Sequence, residues 1–253
     1  MIVQLDEEKA KRHMHTQIVG SSLEVLEVCE STSTVLKGQF WRLASNGSVL
    51  AARQQTSGRG RGTHTFYSPK GGLYFSFALF NATSANESLL TIVACVSVYE
   101  AVLHCCGIDC AIKWVNDIYV EGKKVCGILS EKIEGGFVIG IGLNVYRCGG
   151  GYPPEAGVLS DYVQSDLDIN LLFAQILNRL EHNLFSAAKE EVLNIYKSRS
   201  MLIGKRIVFS FSGENQEGVA IGINANGELL VQTNFETIAL LSGEVSLLSS
   251  SEA

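Results

Sequence analysis

Between Ser57 and Ser76 the chain reads SGRGRGTHTFYSPKGGLYFS, with Arg59 and Arg61 alternating with Gly58, Gly60 and Gly62 and no acidic residue in the stretch. Guanidinium forks bind phosphate or carboxylate bidentately, and neighbouring glycines let backbone N–H groups approach the same anion. Glycine also has the most conformational freedom to lose, so the stretch predicts a loop that is mobile alone and closes over an anionic ligand. It is not a Walker loop, because no G-K-[S/T] closes it. A dinucleotide fingerprint fails too, since an apolar strand rather than a helix follows. Arg-Gly runs in disordered RNA-binding tails lack a continuation as apolar as GLYFSFALF.

Three further segments carry candidate chemistry. In AIKWVND, Lys113 lies on an expected strand between Ile112 and Trp114, and period two sets it on the face opposite both. If that face lines a pocket, the lysine is a point charge for a carboxylate or phosphate; if it faces water, it is an ordinary surface lysine. Asn116 and Asp117 read either as partners for a metal or a substrate hydroxyl, or as turn residues. GIGLNV, from Gly140, ends a buried strand with small residues and then Asn144; such a backbone can lie flat against a ligand or against another sheet. KVCGILSE, from Lys124 to Glu131, again places a glycine, Gly127, within a strand.

These residues need a scaffold, and the rest of the sequence supplies one. LEVLEV alternates as a strand and runs into the hydroxyl cluster Ser31 to Thr34, which suits a helix N-cap. SVLAARQQ and GGLYFSFALF read as strands, and Leu89 to Cys106 as a long helix. From Cys110 an alternating pattern broken by E-G-K-K and E-G-G predicts consecutive antiparallel strands with tight turns. After the loop GGGYPP, Asp168 or Asn170 can cap a second long helix reaching about Ala188. From Gly204 the chain becomes short strands separated by Gly, Asn and Ser turns, the pattern of a small barrel. The expected fold is therefore mixed α/β: a largely antiparallel main domain over 1–200 and a C-terminal β-barrel over 204–253.

Composition narrows the functional classes. Of 253 residues 46% are hydrophobic and 18% charged, ample for a packed core, and the net charge of −6 argues against a general nucleic-acid or membrane-surface binder. The seven cysteines form no C-x-x-C pair and the histidines show no metal-ligand spacing, so free thiols in a reducing compartment are expected, with no protein-bound metal. The N-terminus has no apolar signal region and carries Asp6, Glu7 and Glu8. With Glu100 and His104 inside it, the Leu89–Cys106 segment reads as a core helix rather than a membrane span. A cytoplasmic protein is expected.

Taken in order, ESTSTV, QQTSGRGRG…FYSPKGGLYFS, KWVNDIYV, KVCGILSE and GIGLNV resemble the biotin protein ligase family, across nearly the whole chain. That resemblance implies a catalytic domain of the class II aminoacyl-tRNA synthetase-like fold followed by an SH3-like barrel. It implies a two-step reaction: ATP and biotin give biotinyl-5′-AMP and pyrophosphate, and a lysine of a biotin carboxyl carrier domain then takes the acyl group. Residue by residue, Ser31, Thr32 and Ser33 fall on the biotin-binding hydroxyl segment, with Ser33 where asparagine is frequent. Gln55, Arg59, Gly60 and Arg61 match the loop that closes on biotin and the adenylate phosphate. Lys113 matches the central lysine, so Lys113, Arg59 and Arg61 are the catalytic candidates. Phe66 stands where a tryptophan often lies beside adenine, and Gly127, Gly140 and Asn144 fall on the flooring strands, Asn144 towards the nucleotide. Magnesium is expected on the triphosphate, held mainly by phosphate and water.

The chain departs from the pattern at Val115, where proline is common, and at GRGRGTHTF, which lacks a further arginine. No winged-helix segment precedes Leu23, so no repressor role is expected; a homodimer is compatible with the pattern. Of the competing readings, a lipoyl or octanoyl ligase would carry an R-R-x-S-G-G-G-A-type loop, which is absent. A non-catalytic Arg-Gly binding module fits poorly with the acidic net charge and the Lys113 strand.

Overall fold

The alternating and aromatic-rich segments form strands as their patterns require. They are β1 (Leu23–Leu26), β2 (Val49–Ala52), β3 (Leu73–Phe80), β4 (Ala111–Lys113), β5 (Asp117–Val120), β6 (Lys123–Ile133) and β7 (Gly136–Leu143). They make one seven-stranded sheet in the order β1-β2-β3-β7-β6-β5-β4, parallel only between β1 and β2. The computed structural model describes residues 4–40, 45–80, 87–164, 166–211, 213–241, 243 and 245–248. Residues 249–253, which the sequence reading assigns to the C-terminal unit, lie outside them.

Register decides what each face of this sheet can do, because cross-strand partners project to the same side. One row runs Lys113–Asp117–Gly127–Gly142–Tyr74 across five strands. The next runs Leu129–Gly140–Ser76, and the one after it Glu131–Val138–Ala78. Large side chains vanish from the middle of the first two rows, leaving a hollow. The opposite face holds Phe75, Phe77, Ile128, Ile139 and Ile141, all buried in the main core.

That core face is covered by α3 (Glu87–Cys106), which packs on β6 and β7 and against α4 (Ile169–Phe185) and α5 (Lys189–Ser198). By length and composition α3 could cross a membrane. Here it is a core helix, with Ile92, Ala94, Cys95, Val96, Val98, Ala101 and Val102 all buried. Asp168 caps α4, its carboxylate accepting from Asn170 N and Leu171 N. On the hollow side, the short α2 (Thr32–Val35) lies over β3 and β7.

The C-terminal strands β8 (Arg206–Phe211), β9 (Glu214–Ile223), β10 (Leu229–Gln232), β11 (Thr237–Leu240) and β12 (Val245–Leu247) form an antiparallel sheet ordered β11-β10-β9-β8-β12. No β11–β12 pairing closes it into a barrel among the described residues. Its core residues, Ile207, Phe209, Leu229 and Val231 among them, are continuous with the main core. Among the α-helices of the described residues, α5 and α1 (Glu7–Lys11) had no counterpart in the sequence reading. The second long helix also stops at Phe185 rather than near Ala188.

The segment after α1 is tied to α4 by one carboxylate. Glu181 accepts from the backbone N–H groups of Gln17, Ile18 and Val19 at 2.7, 2.7 and 2.8 Å. Desolvation works to raise its pKa, but the three donors outweigh it and hold the carboxyl below its usual value of 4.5. A depressed carboxyl stabilises the fold above the unfolded-state pKa and loses that contribution as pH falls through the folded value. Glu181→Gln should therefore cost about 1 kcal/mol at pH 7. Urea titrations should show the gap between variant and wild type narrowing below about pH 4; a gap independent of pH would contradict this account.

Candidate active site

The hollow is the floor of a cavity of about 780 Å³, lined at one end by hydroxyls and at the other by cations. At the hydroxyl end, Ser31 takes the extended N-cap conformation of α2, but its side chain does not cap the helix. Instead Ser31 Oγ pairs with Ser33 Oγ at 3.1 Å, and Thr32 Oγ1 with Ser76 Oγ at 2.8 Å. Gln55 Oε1 accepts from Thr32 N at 2.8 Å, while Gln55 Nε2 donates to Ser68 Oγ at 2.9 Å. Ser31, Thr32, Ser33, Ser68 and Ser76 are all buried. Such a network offers several fixed donors and acceptors in a small volume, which suits a compact polar head group.

Gly140 completes this end, since a Cβ there would lie 3.3 Å from Ser76 Oγ and 3.8 Å from Ser33 Cβ. Gly127 and Gly142 have a different reason. A Cβ on Gly142 would come within 2.6 Å of the Phe66 ring, and one on Gly127 within 3.1 Å. What lies flat on these two glycines is therefore Phe66, which leaves only its outer face for a ligand. The ring is held edge-on by Tyr74, at 6.4 Å between centroids. Tyr74 donates its hydroxyl to Pro69 O, and burial pushes its pKa far up, keeping it a donor.

Lys113 lines the cavity while Ile112 is buried outside its lining, so the pocket-facing alternative holds; Trp114, itself buried, lines the cavity as well. Among the described residues its ammonium has no hydrogen bond or ion pair. Two cations beside it are already matched. Lys124 sits 2.7 Å from Asp117 Oδ1. Arg59 Nη1 lies 3.3 Å from Glu131 Oε1, which also takes Lys37 Nζ at 2.6 Å. Among the described residues Arg61 reaches only neutral acceptors, Asn116 Oδ1 at 3.5 Å and Gly243 O at 3.3 Å. Such weak contacts leave its guanidinium free to exchange partners.

The Arg-Gly loop has a defined backbone pattern. It is a hairpin, with Phe66 N donating to Gly58 O, Gly60 N to His64 O, and His64 N to Arg61 O. Its glycines serve distinct purposes: Gly62 has φ of +57°, whereas a Cβ on Gly58 would meet Phe66 O at 2.3 Å. The second requirement is close packing, not freedom.

Of the sequence candidates, Ser31, Thr32, Ser33, Gln55, Arg59, Gly60, Arg61, Phe66, Lys113, Gly127 and Gly140 meet around this one cavity. Asn144 does not join its lining: it is buried, donates Nδ2 to Gly157 O at 3.0 Å, and keeps Oδ1 without a partner. Sequence reasoning missed Ser76, Gly142, Lys124 and Glu131. Ser76 was visible as the lone serine inside LYFSFALF, in phase with Tyr74 and Ala78. The Trp114–Val115 peptide is cis.

The fold and this site define a protein ligase of the biotin/lipoate type. Residues 25–145 match the biotin/lipoate A/B protein ligase family, and 202–248 match the biotin protein ligase C terminal domain. The chain is 27% identical over 250 residues to the biotin–[acetyl-CoA-carboxylase] ligase of Mycobacterium tuberculosis, covering 93% of this chain and 94% of that one. It is 28% identical over 258 residues to the bifunctional ligase/repressor BirA of Bacillus subtilis, covering 96% and 79% respectively. The solved biotin protein ligase from Aquifex aeolicus in complex with biotin and ATP matches with a TM-score of 0.80 and 32% identity, over 91% of this chain and 100% of that one. The chain belongs to the biotin protein ligase family. It is an enzyme of the ligase class.

Because Glu131 anchors Arg59 from a largely buried position, Glu131→Gln should loosen the hairpin. Trypsin cleavage after Arg59 in the folded protein should quicken severalfold, with little change in thermal midpoint. An unchanged cleavage rate would show that the backbone bonds alone hold the hairpin.

Proposed function

We propose that this chain activates biotin with ATP to biotinyl-5′-AMP and transfers the acyl group to a lysine of a biotin carboxyl carrier domain. The observation that carries the reading is the placement of Lys113, without a partner, at the cationic end of a cavity whose other end is the Ser31–Thr32–Ser33–Ser76–Gln55 network. The ureido head of biotin is compact and polar and suits that network, which sends the carboxylate towards Lys113. Attack of a carboxylate on an α-phosphate brings two anions together, so fixed positive charge must sit where negative charge accumulates. Lys113 and Arg61 are the groups available for this, and Arg59 fixes the hairpin that carries Arg61. No acid–base pair is required for the first step.

Adenine would stack on the outer face of Phe66. Asn144 lies outside the cavity lining, so its buried and unsatisfied Oδ1 is not assigned to the adenine. Lys124, lining the same cavity, offers a further cation where the loop lacks a third arginine. Magnesium fits as a companion of the triphosphate: among the described residues no cluster of three His, Cys, Asp or Glu side chains forms a protein cage for a metal. When bound it would neutralise phosphate charge. We assign the catalytic unit to 1–200 and a second unit to 204–253. The free state of all seven cysteines supports a cytoplasmic location.

Lys113→Ala should lower biotin-dependent exchange of pyrophosphate into ATP by about 10²–10³-fold, equivalent to about 3–4 kcal/mol of transition-state stabilisation. The fold should survive, because the side chain packs against nothing that depends on it. Lys113→Arg should not restore activity, since a planar fork cannot occupy a point-charge site. Exchange driven by lipoate and not by biotin would overturn the substrate assignment, and near-normal exchange in the alanine variant would remove Lys113 from the mechanism.

A further inference from the structure

A second cavity, of about 320 Å³, lies behind the first and shares Arg61, Asn116, Ile128 and Leu129 with it. It opens between the start of α3, the outer part of β6 and Leu241 beyond β11. Its remaining walls include Val115 and Leu241, with the hydroxyls of Thr91 and Ser130, which bond to each other at 2.9 Å. Two charged residues line it, Arg61 in the wall shared with the main cavity and Glu87. Glu87 is exposed, so it borders solvent as well as the cavity.

That combination selects a ligand chemistry. One guanidinium and one carboxylate leave no excess positive charge for a pyrophosphate. A passage with four apolar side chains among its hydroxyl and amide walls, and a carboxylate at its outer end, fits an alkylammonium: aliphatic stem along Val115, Ile128, Leu129 and Leu241, ammonium first met by Glu87. We propose that this cavity is the acceptor subsite, admitting the lysine side chain to be modified, with the Glu87 carboxylate receiving the proton its ammonium gives up. The inference rests on the proposed ligase reaction. It concerns the second step, for which the main cavity is already filled by the adenylate.

The step balances. The ammonium gives one proton to Glu87, which passes it to solvent. The neutral amine attacks the acyl carbon, a C–N bond forms, and the C–O bond to the α-phosphate breaks. AMP leaves with the bonding pair, and the nitrogen gives its second proton to solvent as the amide forms. Desolvation raises the Glu87 carboxyl above its ordinary pKa; Arg61 and Lys132 oppose that rise and Glu131 adds to it. A raised carboxyl pKa narrows the gap to the amine it must deprotonate. Arg61 and the nearby Lys113 favour the neutral amine. Arg61 also forms part of the partition, so its move towards the adenylate phosphate would open the passage only once the adenylate is present.

The test reads the two half-reactions separately in the full chain carrying Glu87→Gln. Transfer from preformed biotinyl-AMP should fall about tenfold or more, both to a carrier domain and to free n-butylamine. Biotin-dependent pyrophosphate exchange should stay within about twofold of wild type, which also shows that the variant folds. Glu87→Lys should lower transfer further. Loss of transfer to the carrier alone would make Glu87 part of a docking surface and overturn the subsite. Equal loss in both half-reactions, or no loss of transfer, would overturn it as well. If the wild type shows no biotin-dependent exchange, the ligase reading itself fails, and this outcome is distinct from the others.

Discussion

A β-sheet face can hold a ligand only where its side chains give way, and here they give way in two adjacent rows. Gly127, Gly140 and Gly142 lie side by side through the β6–β7 register. Any one-residue slip of either strand would turn the buried face of Ile128, Ile139 and Ile141 into the hollow and fill it. The site is therefore specified by the same register that specifies the core. The glycines are stabilising in this setting only because other groups reclaim the space, the Phe66 ring over two of them and the α2 hydroxyls near the third.

Electrostatics then sorts the cations that surround the hollow. Arg59, Arg61, Lys113 and Lys124 all line one cavity, and their mutual repulsion would be costly without local anions. Glu131 answers Arg59 and Lys37, and Asp117 answers Lys124. What remains unmatched is Lys113, together with an Arg61 held only by neutral oxygens. Positive charge is thus concentrated on two groups, the arrangement that an anion–anion reaction needs and a static ion-pair network would not supply. The two loop arginines, alike in sequence, divide into one that fixes the hairpin and one that can move.

Much of this was legible from periodicity. Alternation around Lys113 set it opposite Ile112, although Trp114, just past the end of β4, lines the cavity too; the consecutive strands from β4 to β7 followed from turn residues at their boundaries. What stayed hidden depends on pairings between distant segments. Glu131 ends a motif seven residues after Lys124, but only the hairpin brings Arg59 to it. Gly58 and Gly62 look identical in sequence; one is required by a backbone oxygen and the other by a positive φ. The hydroxyl of Ser76 acquires meaning only opposite Gly140. Asn144 follows the glycine strand closely enough to be grouped with it, yet the chain has already turned towards Gly157 by that point.

The placement of Lys113 depends on both the main and the C-terminal sheet, and its neighbours show how. Ile112 donates its N–H to Arg199 O at 2.7 Å and accepts from Met201 N at 3.0 Å, so the segment leading to β8 pairs along the outer edge of β4. Trp114 donates Nε1 to Gly227 O at 2.9 Å, in the turn before β10. Lys113 sits between these two anchors on a three-residue strand that would otherwise be a frayed sheet edge. Its direction into the cavity is fixed by these two anchors. Arg61 adds a contact on the cavity side, at Gly243 O. The C-terminal sheet thus acts on the site twice, through the backbone that aims the lysine and through the carbonyl that holds the arginine. A displacement of that sheet would disturb both charges while leaving the Ser31–Gln55 hydroxyl network intact, which gives a physical reason for the C-terminal unit to bear on the cationic end of the site more than on the hydroxyl end.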